Sequence, residues 1–321
     1  MILKKKLSFF LIFFLQLPLF AQDEDLAGLE QNIHLQILLD QRGFSPGEID
    51  GKIGNNTFRA LLMFQAAYGL PRTGETDDRT LDLLSESGRP TLTTYRLTGQ
   101  DVNGPFTSVP GDFMQKAKLP ALRYTSALEA ISEKFHISPD LFLTLNPDAI
   151  LIEGETVVVP NVFNHKVTPK SISPVKRVSG KINQDENRLK VIISGANSDL
   201  MVTRNGKVIF YAPVSHGGDR DPVPVGKTKI SGVIPNPLYR YNPELFWDAD
   251  PSHTKALIRP GPNNPVGLVW IALDLPHYGL HGTPEPSKIG YGQSHGCIRL
   301  TNWDALRLAA IVHPETEVVF Q

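Results

Sequence analysis

The chain has 321 residues, 41% hydrophobic and 20% charged, with 26 glycines and 26 prolines. That length exceeds what one hydrophobic core organises, so two or three units of ~100 to 150 residues are expected, and the abundance of turn formers disfavours a long helical bundle or wholesale disorder. Lysines and arginines number 32 against 33 acids, a net charge of -1 with no basic stripe to meet phosphate, which argues against a nucleic-acid partner; the single cysteine excludes an intramolecular disulfide.

Lys4, Lys5 and Lys6 precede an apolar run from Leu7 to Phe20 that ends at Ala21. A basic start followed by a short apolar core reads as a secretory signal over residues 1–21. The run is shorter than the ~20 residues that span hydrocarbon, and Gln16 and Pro18 interrupt it, which favours cleavage over anchoring. The expectation is an exported protein of the periplasm or cell envelope, with no stable membrane span after cleavage.

Residues 29–86 read as short helices separated by glycine turns. Leu29, Ile33 and Leu35 to Leu39 open the unit, "GFSPGEIDGKIG" is turn chemistry, and Asn56 is placed to cap a helix with Phe58, Leu61 and Leu62 on one face. A second turn, "GLPRTGETDD", leads into "RTLDLL". This spacing, with "GEIDGKIGNNT" and "FQAAYGL", resembles the small three-helix peptidoglycan-binding domain of bacterial wall enzymes.

Residues 115–161 form another small unit. Ser126 and Glu129 make a capping box before Leu128, Ile131 and Phe135, "ISPD" starts a second helix, and "GETVVVPNV" alternates into a strand. With "LNP" and "VVVPNV" it resembles a degenerate LysM glycan-binding module of βααβ type, "YTSALEA" standing where Gly-Asp-Thr is usual. Residues 162–187, polar and proline-bearing, read as a linker. From 188 to 321 the pattern becomes short β-branched runs, "LKVIISG", "DLMVTRNGKVIFYAPVS", "GKTKISGVI", "VGLVWIAL" and "EVVF". Asn205 and Gly206 supply a tight hairpin turn, and one helix, roughly Trp303 to Ile311, closes a mostly β domain. The fold class is multidomain α+β.

Six of the nine histidines, His216, His253, His277, His281, His295 and His313, lie beyond residue 188, as does the only cysteine, Cys297. Two of these histidines and the thiol fall in "HGTPEPSKIGYGQSHGCIRLTN", a glycine- and proline-rich segment that is neither helix nor regular strand. A free thiol in an exported chain meets oxidants, so its retention points to use. A thiol attacks carbonyls as thiolate and needs a base or an electropositive setting; His281 or His295 could supply either, and sequence position leans toward His281.

"HGTPEPSKIGYGQSHGCIRLTNWDAL", with "PVGKTKI" and "PGPNNPVGLVWIAL" upstream, resembles the catalytic domain of the YkuD-type L,D-transpeptidases over residues 188–320. The resemblance implies a β-sandwich whose cysteine nucleophile remodels peptidoglycan, with stem peptides and glycan as partners and no cofactor or metal. Cys297 matches the nucleophile and His281 its base, with the Gly282 carbonyl orienting the imidazole. Ser294, His295 and Gly296 match the loop that shapes the oxyanion site, and Arg299 the position facing substrate; a salt bridge from Arg299 to Asp304 or another acid, fastening the loop, is the structural alternative. A zinc peptidase using His281, His295 and Cys297 lacks an HExxH segment and a well-placed acid. A wall-binding protein with a decayed site would have lost Cys297 or His281.

Overall fold

The computed structural model describes residues 23–162, 167–176, 188–218 and 220–321. The expected signal at 1–21 and most of the expected linker lie outside the described residues. Among the described residues no helix is long and apolar enough to cross a membrane.

The first unit is α1 (Asp23–Gln41), α2 (Asn55–Ala67) and α3 (Asp78–Ser85), closed around Leu35, Leu38, Leu39, Leu61, Phe64 and Leu84. Asp77 caps α3 by accepting from the Thr80 N–H at 2.7 Å. Asn56 does not cap α2. Gly54 holds the N-cap position, and the Asn56 amide instead donates across to the Ile289 carbonyl at 2.9 Å. Phe58 lies outside the buried face, 43% exposed and packed over Gly74.

The second unit starts upstream of residue 115. Its first strand, β1 (Leu92–Arg96), is followed by α4 (Gly99–Val102), α5 (Phe113–Lys116), α6 (Ala127–Phe135) and α7 (Pro139–Leu145), and pairs antiparallel with β2 (Thr156–Pro160). The Ser126 hydroxyl caps α6, while the Glu129 carboxylate reaches back to the Thr125 N–H, one residue earlier than a closed box. Ile131, Phe135, Phe142, Val157 and Val159 fill the core, which also receives Trp303 from the third unit.

Part of the expected linker is docked: β3 (Val175–Lys176) pairs with the later strand at Gly226–Pro235, and Ile172 is buried in the third core. That third unit runs β4 (Leu189–Ser194), β5 (Asp199–Arg204), β6 (Lys207–Pro213), β7 (His216–Gly217), β8 (Gly226–Pro235), β9 (Tyr239–Tyr241), β10 (Ala256–Ile258), β11 (Val269–Leu273), β12 (Gly279–His281), β13 (Gln293–Ser294), β14 (Ile298–Arg299), α8 (Asn302–Ile311) and β15 (Glu317–Phe320). Asn205 and Gly206 take φ of 53° and 80° in the β5–β6 turn, as a tight hairpin requires. Where a sandwich would have two hydrogen-bonded sheets, the main ladders join in one path, β14-β12-β11-β8-β15-β4-β5-β6. Alternating residues of these strands and one face of α8 bury Val191, Phe210, Ile271, Leu280, Ile298 and Leu308.

The three units meet at α8. Phe44 bridges to Tyr211 on the edge strand β6, with N–H···O bonds of 2.9 Å on both sides. Arg307 donates to the Asp40 carboxylate at 2.8 Å, and Ser45 and Thr301 both donate to Asp304 Oδ2 at 2.9 Å. His136 stacks on Trp303 between these two carboxylates. All four charged or titratable groups are buried, so each depends on the others to offset its desolvation.

Candidate active site

The register of β12 against β14 brings predicted site residues onto neighbouring strands. These strands are parallel, with Leu280 opposite Ile298 and His281 opposite Arg299. Strand alternation puts His281 and Arg299 on one face, together with Gly279 and Cys297 two residues earlier. Trp270, paired with His281 across β11, stacks on the imidazole at 5.5 Å and 18°. Gly279 leaves room for that indole: a Cβ there would lie 2.4 Å from the Trp270 ring.

His281 is 3% exposed and its Nδ1 lies 2.7 Å from the Gly282 carbonyl. A carbonyl only accepts, so Nδ1 carries the hydrogen and Nε2 has a free lone pair. Burial, helped by the Arg299 charge and opposed by the Gly282 bond, pushes the imidazole down to about 3. Burial likewise pushes the Cys297 thiol up, against the Gly279 N–H bond and the Arg299 charge. In this resting arrangement the thiol donates to the His277 carbonyl at 3.6 Å.

Arg299 is fixed through its backbone, which exchanges two hydrogen bonds with Ser215 at 2.8 and 3.0 Å. Burial lowers its pKa, opposed by Cys297, Glu285 and Tyr239. Asp304 is not among them, because it is turned toward Ser45 and Thr301.

The remaining predicted residues separate into two roles. Ser294 pairs with Gly217 across β7 and β13, and its hydroxyl donates to the Cys297 carbonyl at 2.6 Å, tying the turn closed. Gly296 at φ +107° occupies backbone space that other residues rarely enter, and a Cβ would press on the Tyr278 ring at 3.3 Å. His295 is drawn away, bonded to Asp248 at 2.8 Å and packed against Phe246 and Trp247. Trp247 in turn donates to Asp221 and lies under Arg220, so two loops meet beside the turn. Among the described residues, the one group of three metal-capable side chains with ligand atoms within 4.8 Å is Asp40, His136 and Asp304, where Arg307 already serves as cation. His281, His295 and Cys297 form no such group, which removes the geometric basis of a zinc peptidase.

Two residues near the turn were given no role by the sequence reading. His216 lines a cavity of about 420 Å³ with Gly217, Pro222, Val223 and Tyr291, beside the Ser294 ladder. Tyr278 has a buried hydroxyl without a hydrogen-bond partner among the described residues, next to Gly296. Its position three residues before His281, on the segment that turns into β12, was the available signal.

Comparison with known proteins places the chain in a family. Residues 188–320 match the L,D-transpeptidase catalytic domain, YkuD, and residues 30–84 match a peptidoglycan binding domain. The chain is similar to the L,D-transpeptidase YkuD of Bacillus licheniformis, 50% identical over 194 residues, covering 60% of this chain and 91% of that protein. To the L,D-transpeptidase YbiS of Escherichia coli K12 it is 27% identical over 203 residues, covering 61% of this chain and 60% of that one. Among solved structures, L,D-transpeptidase 3 from Mycobacterium tuberculosis aligns over 53% of this chain and 75% of its own, at 17% identity and a TM-score of 0.35. The chain belongs to the YkuD family of L,D-transpeptidases.

Proposed function

We propose that this L,D-transpeptidase uses Cys297 as nucleophile and His281 as its base on peptidoglycan tetrapeptide stems. The supporting observation is the pairing of β12 with β14, which sets His281 opposite Arg299 with Cys297 two residues earlier, the His281 Nδ1 held by the Gly282 carbonyl and the Arg299 charge acting on both the imidazole and the thiol. His281 takes the thiol proton as sulfur attacks the carbonyl at the L-centre of the stem's diamino acid. The developing oxyanion is held by backbone N–H groups near Gly296 and Cys297. His281 then returns the proton to the departing D-Ala amine, leaving a thioester.

A side-chain amine of a second stem, or of a protein to be anchored, attacks the thioester, and the thiolate leaves as His281 accepts the amine proton. When water takes that place, the stem is trimmed. A thioester is reactive enough for aminolysis without ATP. Arg299 binds a donor carboxylate, Ser294 and His295 shape the turn, and residues 30–84 with the LysM-like β1–β2 unit hold the polymer. The protein acts in the cell envelope after export.

Incubation of the purified chain with tetrapeptide muropeptides, read by mass spectrometry, tests this. D-Ala release together with 3-3 crosslinked dimers or trimmed stems is expected from wild type, and neither from Cys297→Ala. Equal turnover by Cys297→Ala would overturn the assignment.

A further inference from the structure

We infer that Glu133, on α6 of the preceding unit, is a positioning residue for His281, acting through the Asn302 amide against which Gly282 packs. The inference rests on the reading of Cys297 and His281 as the reacting pair.

Asn302 opens α8, three residues after Arg299, and its carboxamide is wedged between two glycines. Its Oδ1 lies 2.1 Å from where a Cβ of either Gly267 or Gly282 would stand, so no other residue fits at those positions without moving it. The same oxygen accepts the Leu268 N–H at 2.9 Å. Gly282 is the residue whose carbonyl fixes the hydrogen on His281 Nδ1. The seating of this amide therefore bears on where the Gly282 backbone stands and, through its carbonyl, on how the proposed base is held.

Glu133 decides how the amide is oriented. Asn302 Nδ2 donates to Glu133 Oε2 at 2.7 Å and to the Pro262 carbonyl at 3.2 Å. The other carboxylate oxygen accepts from the Tyr124 hydroxyl at 2.6 Å. A flipped amide would set Oδ1 against the carboxylate and its N–H₂ against the Leu268 N–H, two repulsions in place of two bonds. The acid thus reaches from one unit to a turn beside the reacting pair of another, as outer hydrogen bonds orient a ligating or basic histidine elsewhere.

Three variants separate positioning from stability, each assayed well below its melting temperature. Glu133→Met removes the acceptor and should lower kcat at least about tenfold with KM within about twofold. Glu133→Gln keeps an oxygen toward Asn302 while its N–H donates to the Tyr124 oxygen, and should stay within about twofold of wild type. Tyr124→Phe loses the other bond and should lower Tm with kcat unchanged. In parallel, ¹⁵N chemical shifts of the His281 ring should report one Nδ1–H tautomer in wild type and a mixture in Glu133→Met. A folded Glu133→Met with wild-type kcat and a single tautomer would overturn the inference, as would an equal kcat loss in Tyr124→Phe. Should Glu133→Met fail to fold, Asn302→Ser makes the same comparison from the other partner. Activity surviving in Cys297→Ala would instead sink the reacting pair, and the tautomer measurement would still decide the role of Glu133.

Discussion

If His281 and Cys297 react as proposed, a neutral imidazole and a neutral thiol set how the reaction starts. With His281 down to about 3 and Cys297 raised above its ordinary value, the proposed pair starts without a preformed ion pair at neutral pH, so that proton transfer accompanies attack. The acid limb of acyl transfer should therefore lack a step near the ordinary 6.5 of histidine, with activity held down to about pH 5. Alkylation of Cys297 by iodoacetamide should keep rising through about pH 9 without a plateau. A rate that halves near pH 6.5 would contradict the buried neutral base. At Arg299, lysine keeps the charge but loses the planar fork, so Arg299→Lys should weaken donor use by ~1 to 3 kcal/mol with thiol alkylation unchanged; a lowered Tm with unchanged donor kinetics would reassign the arginine to packing. The segment that carries Cys297, His281 and Arg299 was legible as the candidate site because "HGT…SHGCIRL" holds few chemical alternatives. The split between His281 and His295 was only a leaning, since in the fold it depends on Asp248, Phe246 and Trp247 approaching from a loop about 47 residues away.

Among the elements, β12 and β14 are only three and two residues long, yet they align the site because Trp270, Gly279 and His281 fit on one face. Gly279→Ala would drive a methyl group into the Trp270 ring, displacing the indole from the imidazole, and should cost ~1 to 3 kcal/mol of stability with a fall in kcat. Thermal denaturation and turnover on the same variant check this; an unchanged Tm and kcat would contradict the packing account. Local signals predicted α6, α7, α8 and the β5–β6 hairpin well, since Ser126, Ser138 and the Asn205-Gly206 turn act within a few residues of themselves. Asn56 misled because a side chain near a helix start can be taken by a distant acceptor, here Ile289. The strand at residues 92–96 was missed because β1 pairs with a segment more than sixty residues away, across a long insertion.

For the molecule as a whole, the sequence reads as separable modules, and the structure binds them around α8. Patterning could not reveal this, because Asp40, His136, Asp304 and Arg307 look like ordinary polar residues until three units are assembled. Asp40→Ala should cost ~3 to 5 kcal/mol by stranding Arg307 in the interior, measurable by chemical denaturation. Two more acids lie half-buried at these junctions: burial pushes Glu133 and Glu48 up to about 7, with the Tyr124 and Asn302 hydrogen bonds opposing and Glu129 adding at the first, Asp50 and Asp140 adding at the second, and His136 opposing at both. An acid whose folded pKa is raised contributes stability below its unfolded value near 4.5, and this is lost as pH rises through about 7. His281 acts in the opposite sense below its ordinary 6.5, so the comparison must be between variants. The Tm of Glu48→Gln relative to wild type should accordingly improve as pH rises from about 4.5 to about 7; a pH-independent difference would contradict it.

The most direct test of the central claim is to trap the acyl group on the enzyme. A carbapenem offers a strained carbonyl in place of the stem amide, and intact-mass analysis followed by peptide mapping locates any adduct. The account predicts one adduct on the peptide containing Cys297 in wild type and none in Cys297→Ala. An unmodified wild-type protein, or an adduct that persists in Cys297→Ala, would contradict it.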